Sequence, residues 1–149
     1  VEPDEHMRAE LAETLQTRQL SDIRLVDGQA ESLPFDDAAF DTVVTTLVMC
    51  SVADIDASLE ELYRVTKPGG QLLFLEHVAA HDNPGRRAWQ RRIEPVWKHL
   101  AGNCHLTRET GAHIRKAGFE IVCLHRESMR KAFPFVRPTI RGVARRRAE

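Results

Sequence analysis

The sequence predicts one α/β domain over residues 1–149, with a mainly parallel sheet and helices on both of its faces. Three observations predict this. The run FDTVVTTLVM from Phe40 is near-continuously β-branched, the mark of a strand buried on both faces, and QLLFLEHV from Gln71 reads as another buried strand. Amphipathic helical segments alternate with such runs, as right-handed crossovers between parallel strands require. The chain also has 149 residues, 42% of them hydrophobic, and a domain of about 150 residues buries roughly two-thirds of its unfolded surface.

The elements follow in order. VEPDEHM reads as the tail of a strand running straight into a helix, with Pro3 at the first helical position and Asp4 and Glu5 at the positive end of the dipole. Met7, Leu11 and Leu15 then recur every four residues, laying one apolar stripe along that helix. Ile23, Leu25 and Val26 suggest a short strand ending at Asp27-Gly28, and the long run from Phe40 suggests the next. Asp54 is placed to cap a helix whose Ile55, Leu59, Leu62 and Val65 share a face, while Glu60, Glu61 and Arg64 face water. KPGG stops it, because Pro68 cannot extend a helix and glycines tolerate the turn.

After QLLFLEHV, the segment Arg86 to Ala101 carries Trp89, Ile93, Val96, Trp97 and Leu100 on one face, with Pro95 expected to kink it. A last helix is expected from a Thr107 cap to Gly118, followed by the strand EIVCLH. RPTIRGVAR reads as an edge strand, with Pro138 near its start.

Composition excludes several classes. The formal charge is −1, and the basic end at Arg145, Arg146 and Arg147 offers only nonspecific attraction, so nucleic acid is not expected as a partner. No stretch approaches the ~20 apolar residues of a membrane span. Cys50, Cys104 and Cys123 lack C-x-x-C pairing and read as reduced thiols of a cytoplasmic protein. Cys104 and His105 are adjacent, and neighbouring residues rarely converge on one ion, so no metal is expected.

In a doubly wound sheet, ligands bind outside the carboxyl ends of the strands. That rule singles out Glu2, the turn from Asp27 to Glu31, the segment from Thr45 to Ser51, and the pair Glu76-His77. An acid at the tip of the second strand of a nucleotide-binding unit accepts from both ribose hydroxyls. On position alone Glu2 serves equally well as a helix cap.

VEPDEHM, GQAESLPFDDAAFDTVVTTLVMCSV and LEELYRVTKPGGQLLFLEHV together resemble the class I methyltransferases that use S-adenosylmethionine, of the type 11 domain. AESLPF, FDTVV and RVTKPGG occur in the family's order. EHVAAH, NCHLTRET, AGF and VRPTIRGVAR are most similar to the thiol S-methyltransferase-like branch. The resemblance implies a Rossmann-like methyltransferase fold with an antiparallel last strand and the neighbour order third, second, fourth, fifth, seventh, sixth. It implies Glu2 at the cofactor ribose, Gln29 and Ala30 at the adenine, and Thr46 and Leu47 beside the methionine part. The family usually has Asp where this chain has Gln29, whose amide oxygen still accepts from an exocyclic amine. Cys50 and Ser51 stand where many relatives have histidines.

The family begins with a strand, a glycine-rich loop and a helix, and no such segments are present in this sequence. Residue 1 is therefore expected inside the second strand of a longer protein, whose N-terminal part would carry any anchor. As supplied, the chain is expected to bind the cofactor poorly or not at all, and to be inactive by itself.

The implied function is methyl transfer from S-adenosylmethionine to a small, apolar acceptor such as a thiol. A quinone- or lipid-type acceptor, or a noncatalytic binding module that keeps the fold, are the alternatives. The oligomeric state is not fixed by the sequence. Because a thiolate rather than a thiol attacks, His77 at the exit of a strand is the candidate catalytic base. Trp89, Trp97 and Leu100 either roof the acceptor pocket or pack in the core.

Overall fold

The computed structural model describes residues 1–148. The elements are α1 (Glu5–Thr17), β1 (Phe40–Thr46), α2 (Ile55–Val65), β2 (Thr66–His77), α3 (Pro84–Leu100), α4 (Thr110–Lys116), β3 (Glu120–Ser128) and β4 (Pro138–Arg145). The strands form one sheet in the order β1-β2-β4-β3. β1 and β2 are parallel, and β4 is antiparallel to both β2 and β3. Three strands thus share a direction and the last opposes them, in the order expected for the fourth, fifth, seventh and sixth strands of the resembled fold.

The core sits between the sheet and α2. Asp54 caps α2 by accepting from the N–H groups of Asp56 and Ala57, so the helix starts where its apolar face can meet the sheet. Ile55, Leu59 and Leu62 then bury against Leu72 and Phe74 of β2, with Ile114, Ile140 and Ala144 closing the cluster. Leu59, Leu72, Ile114 and Ala144 have no exposed surface. Gly142 of β4 lies so close to β3 that an added Cβ would overlap the carbonyl oxygen of Cys123.

Several expectations are corrected. Helices do not cover both faces among the described residues: Leu72 and Phe74 are buried, whereas Leu73 and Leu75 border an open hollow with His125 and Arg141. Alternation along a strand sends neighbours to opposite faces, and only one face receives α2 and α4. RPTIRGVAR is an inner strand, paired on both sides, although Pro138 does open it. Ile23 to Val26 forms no strand; its backbone link is the bond from Glu2 N–H to the Val26 carbonyl, 3.0 Å. Asp4 rather than Glu2 caps α1, accepting from Met7 N–H at 2.9 Å. That bond holds the Asp4 carboxyl below its ordinary range. The stripe of α1 stays at the surface, with Met7 and Leu11 exposed.

KPGG continues as the first residues of β2, with Gly69 taking a φ of +76°. The last helix starts at Thr110, not after Thr107, and its N-cap Glu109 makes no side-chain cap bond. Pro95 lies inside α3. The only buried residue of that helix is Gln90, whose amide accepts from Ala80 N–H (2.8 Å) and donates to the carbonyls of Val78 (3.2 Å) and Phe135 (2.9 Å). Trp89 and Trp97 pack edge-on against Phe135, while Leu100 is exposed.

Candidate functional site

A cavity of about 870 Å³ opens where the start of the chain, the turn after Asp27 and the exit of β1 meet. Glu2, Gln29, Ala30 and Leu47 all border it. These residues lie far apart in sequence, and local bonds bring them together. The Arg8 guanidinium donates to the carbonyls of Glu2 (2.9 Å) and Pro3 (2.7 Å) and to Asp27 (2.8 Å), fixing the chain start to the following turn. Glu2 Oε1 accepts from Asp4 N–H at 3.0 Å. Ser32 N–H closes the next turn on the Gln29 carbonyl at 3.2 Å. Leu47 has a φ of +56°, a left-handed conformation uncommon outside glycine that concentrates at functional sites. Its N–H still pairs with the Leu75 carbonyl at 2.8 Å.

Thr46 is the exception among the expected cofactor residues. It borders the hollow on the uncovered side of the sheet, and Thr45 takes the position toward the cavity. The period of two along β1 decides this, since adjacent residues point to opposite faces.

His77 does not border the cavity either. It is 3% exposed, and both ring nitrogens are buried without a hydrogen-bond partner. Its neighbours are the sulfurs of Cys50 and Cys104, with all three groups' donor atoms within 4.8 Å of one another. The role of base toward an acceptor in the cavity therefore lacks reach. Hydrogen bonding with Cys104, reinforced by burial, pushes the Cys50 thiol up to about 12. The same pairing brings the Cys104 thiol down to about 7. This trio is what sequence reading missed: it drew Cys104 toward His105, whereas His105 faces Glu94 at 3.4 Å.

Glu76 is fully buried at the exit of β2. Burial pushes its carboxyl up to about 7, opposed by the nearby Thr45 hydroxyl and by hydrogen bonds from the Val48 and Met49 amides. Neither Trp89, Trp97 nor Leu100 borders the cavity, so the aromatic residues of α3 serve packing. No helix among the described residues is long and apolar enough to cross a membrane.

An α/β sheet with this strand order and a cavity at its carboxyl edge defines a nucleotide-cofactor-binding fold. Residues 1–74 match the methyltransferase domain family. Human thiol S-methyltransferase TMT1B (Homo sapiens) is 36% identical over 146 residues, which is 97% of this chain and 60% of that protein. The rat protein of the same name (Rattus norvegicus) is 50% identical over 88 residues, 59% of this chain and 36% of that protein. The matches thus span 60% of the human protein and 36% of the rat one, under two-thirds of each. The crystal structure of the cyclase SpnF superposes with a TM-score of 0.78 at 19% identity, over 99% of this chain and 64% of that one, a likeness of fold alone. The family match, the thiol S-methyltransferase relatives and the shared fold together support a class I S-adenosylmethionine-dependent methyltransferase.

Proposed function

We propose that this chain, acting as a single domain, serves methyl transfer from S-adenosylmethionine to a small, apolar thiol. The observation that carries the reading is the convergence of Glu2, Gln29, Ala30 and Leu47 on one cavity from three separate segments. The donor set suits an adenosyl group: a carboxylate for vicinal hydroxyls, an amide for an exocyclic amine and apolar side chains for the rest. Thr45 replaces Thr46 in this reading. The bound cofactor supplies an activated methyl group on sulfur. The tasks left to the protein are to hold it, to align the acceptor and to exclude water. A small thiol is already partly ionised near neutral pH, so no protein base is required. The names of the two relatives support a thiol over a quinone or lipid acceptor.

The test is calorimetric titration with S-adenosylmethionine, followed by transfer of its labelled methyl group to thiol, phenol and quinol acceptors. It compares the 149-residue chain, expected to bind poorly or not at all, with a longer protein containing it, in which the outcomes are read. Saturable binding with thiol methylation is expected. Binding with turnover of only the other acceptors overturns the thiol, binding without turnover favours a noncatalytic module, and no binding overturns the whole reading.

A further inference from the structure

Cys50, His77 and Cys104 come from three segments, the loop after β1, the end of β2 and the loop after α3. Their ligand atoms lie within 4.8 Å of one another. From this geometry we infer that the three residues form a buried site for a thiophilic d10 cation of the Zn2+ type. An ion bound at about 2.3 Å to sulfur and about 2.0 Å to nitrogen holds its donors about 3.5 Å apart. Small side-chain rotations therefore close the site, with no change of backbone.

The frame around the trio is already clamped. His105 N–H donates to the Cys50 carbonyl at 2.7 Å, so the two cysteine loops are joined at Cys50 itself and one residue beyond Cys104. The Arg108 guanidinium spans the carbonyls of Met49 and Val52, each at 2.7 Å. Asn103 donates its side-chain amide to the Ser51 carbonyl at 3.0 Å. His77 is fixed from its own strand, with Glu76 holding Met49 N–H at 3.0 Å. Ligands delivered by segments locked in this way lose little entropy on binding an ion.

The second observation concerns the imidazole, whose nearest polar neighbour is the Cys50 thiol. Native proteins rarely bury a polar side chain unpartnered, yet His77 buries both ring nitrogens with no hydrogen bond of good geometry and only the Cys50 thiol beside it. Coordination by one of them removes that cost. A disulfide between Cys50 and Cys104 would leave the imidazole as it is. Two thiolates and a neutral imidazole also balance a divalent charge, as a buried site requires. Met49 and Ser51 border the cavity while Cys50 does not, so the site lies behind the cavity wall and does not depend on the cofactor reading.

The test is an anaerobic titration of the reduced 149-residue chain with Zn2+ and, as a spectroscopic probe, Co2+. One ion per chain is expected, with thiolate-to-cobalt charge transfer, tetrahedral ligand-field bands and a higher melting temperature on Zn2+ addition. Cys50→Ser and Cys104→Ser should each lose stoichiometric uptake, and His77→Gln should weaken it. Cys123→Ser removes the exposed thiol that lies 3.1 Å from His125 and should change nothing. The wild-type and Cys123→Ser titrations decide the matter even if the buried variants do not fold. No uptake by the wild-type chain overturns the site, as does loss of uptake in Cys123→Ser or a Cys50–Cys104 disulfide that forms in preference to Zn2+ binding.

Discussion

The buried carboxylate of Glu76 holds the backbone of Met49. Its Oε2 accepts from Met49 N–H at 3.0 Å and its Oε1 from Val48 N–H at 3.4 Å, across the gap between the exits of β2 and β1. A side chain at one strand exit thus shapes the loop at the neighbouring exit, where Leu47 and Val48 border the cavity. Glu76→Leu leaves two amides without an acceptor and should cost about 2–3 kcal/mol. Glu76→Gln keeps an acceptor and should cost less. Urea unfolding of the three proteins checks the order, and a Leu variant as stable as wild type would refute it.

Glu2→Ala should weaken S-adenosylmethionine binding by about 1–3 kcal/mol, the usual scale for hydrogen bonds to a charged group. Fold should survive, because Asp4 and not Glu2 caps α1. The dissociation constant is read by calorimetry in a protein that binds the cofactor, and an unchanged value removes Glu2 from the site.

Gly142→Ala should unfold part of the sheet. Besides meeting the Cys123 carbonyl, the new Cβ would lie 2.7 Å from the Phe74 ring. Overpacking between backbone and core ring leaves no soft side chain to yield, so a loss of about 3 kcal/mol or more is expected. Thermal melts followed by circular dichroism measure it; a change under about 0.5 kcal/mol, the scale of a neutral surface substitution, would contradict the close approach.

Glu61 links α2 to the turn before β1. It pairs with Arg64 at 2.7 Å and accepts from Leu33 N–H at 2.8 Å, while Arg64 reaches the carbonyls of Phe35 and Leu33. The Arg64 hydrogen bond holds the Glu61 carboxyl below the ordinary glutamate range. A carboxyl depressed in the folded state stabilises above its unfolded pKa, and that contribution fades as pH falls through the folded value. Glu61→Gln should therefore cost about 1–2 kcal/mol at neutral pH, with the gap to wild type closing from about pH 4 downward. Denaturant melts at several pH values follow it; a gap that widened in acid would reverse the assigned sign.

Much of the fold was legible because it rests on local chemistry. Asp54 as a cap, the apolar face of α2 and the β-branched run of β1 are each decided within a few residues. The cavity residues Glu2, Gln29, Ala30 and Leu47 were legible through family motifs, since strand exits are fixed once strands are.

What the sequence by itself determined, then, was the succession of elements and the strand ends at which ligands gather. Only the tertiary structure decided which neighbour at each end faces the cavity, turning Thr45 inward and Thr46 away. It also gathered Cys50, His77 and Cys104 from segments that share no local signal, and left Ile23 to Val26 without a ladder. The reason is physical: hydrogen-bond ladders, facing and burial belong to pairs of segments. Propensity and periodicity act within one segment and carry no information about its partner.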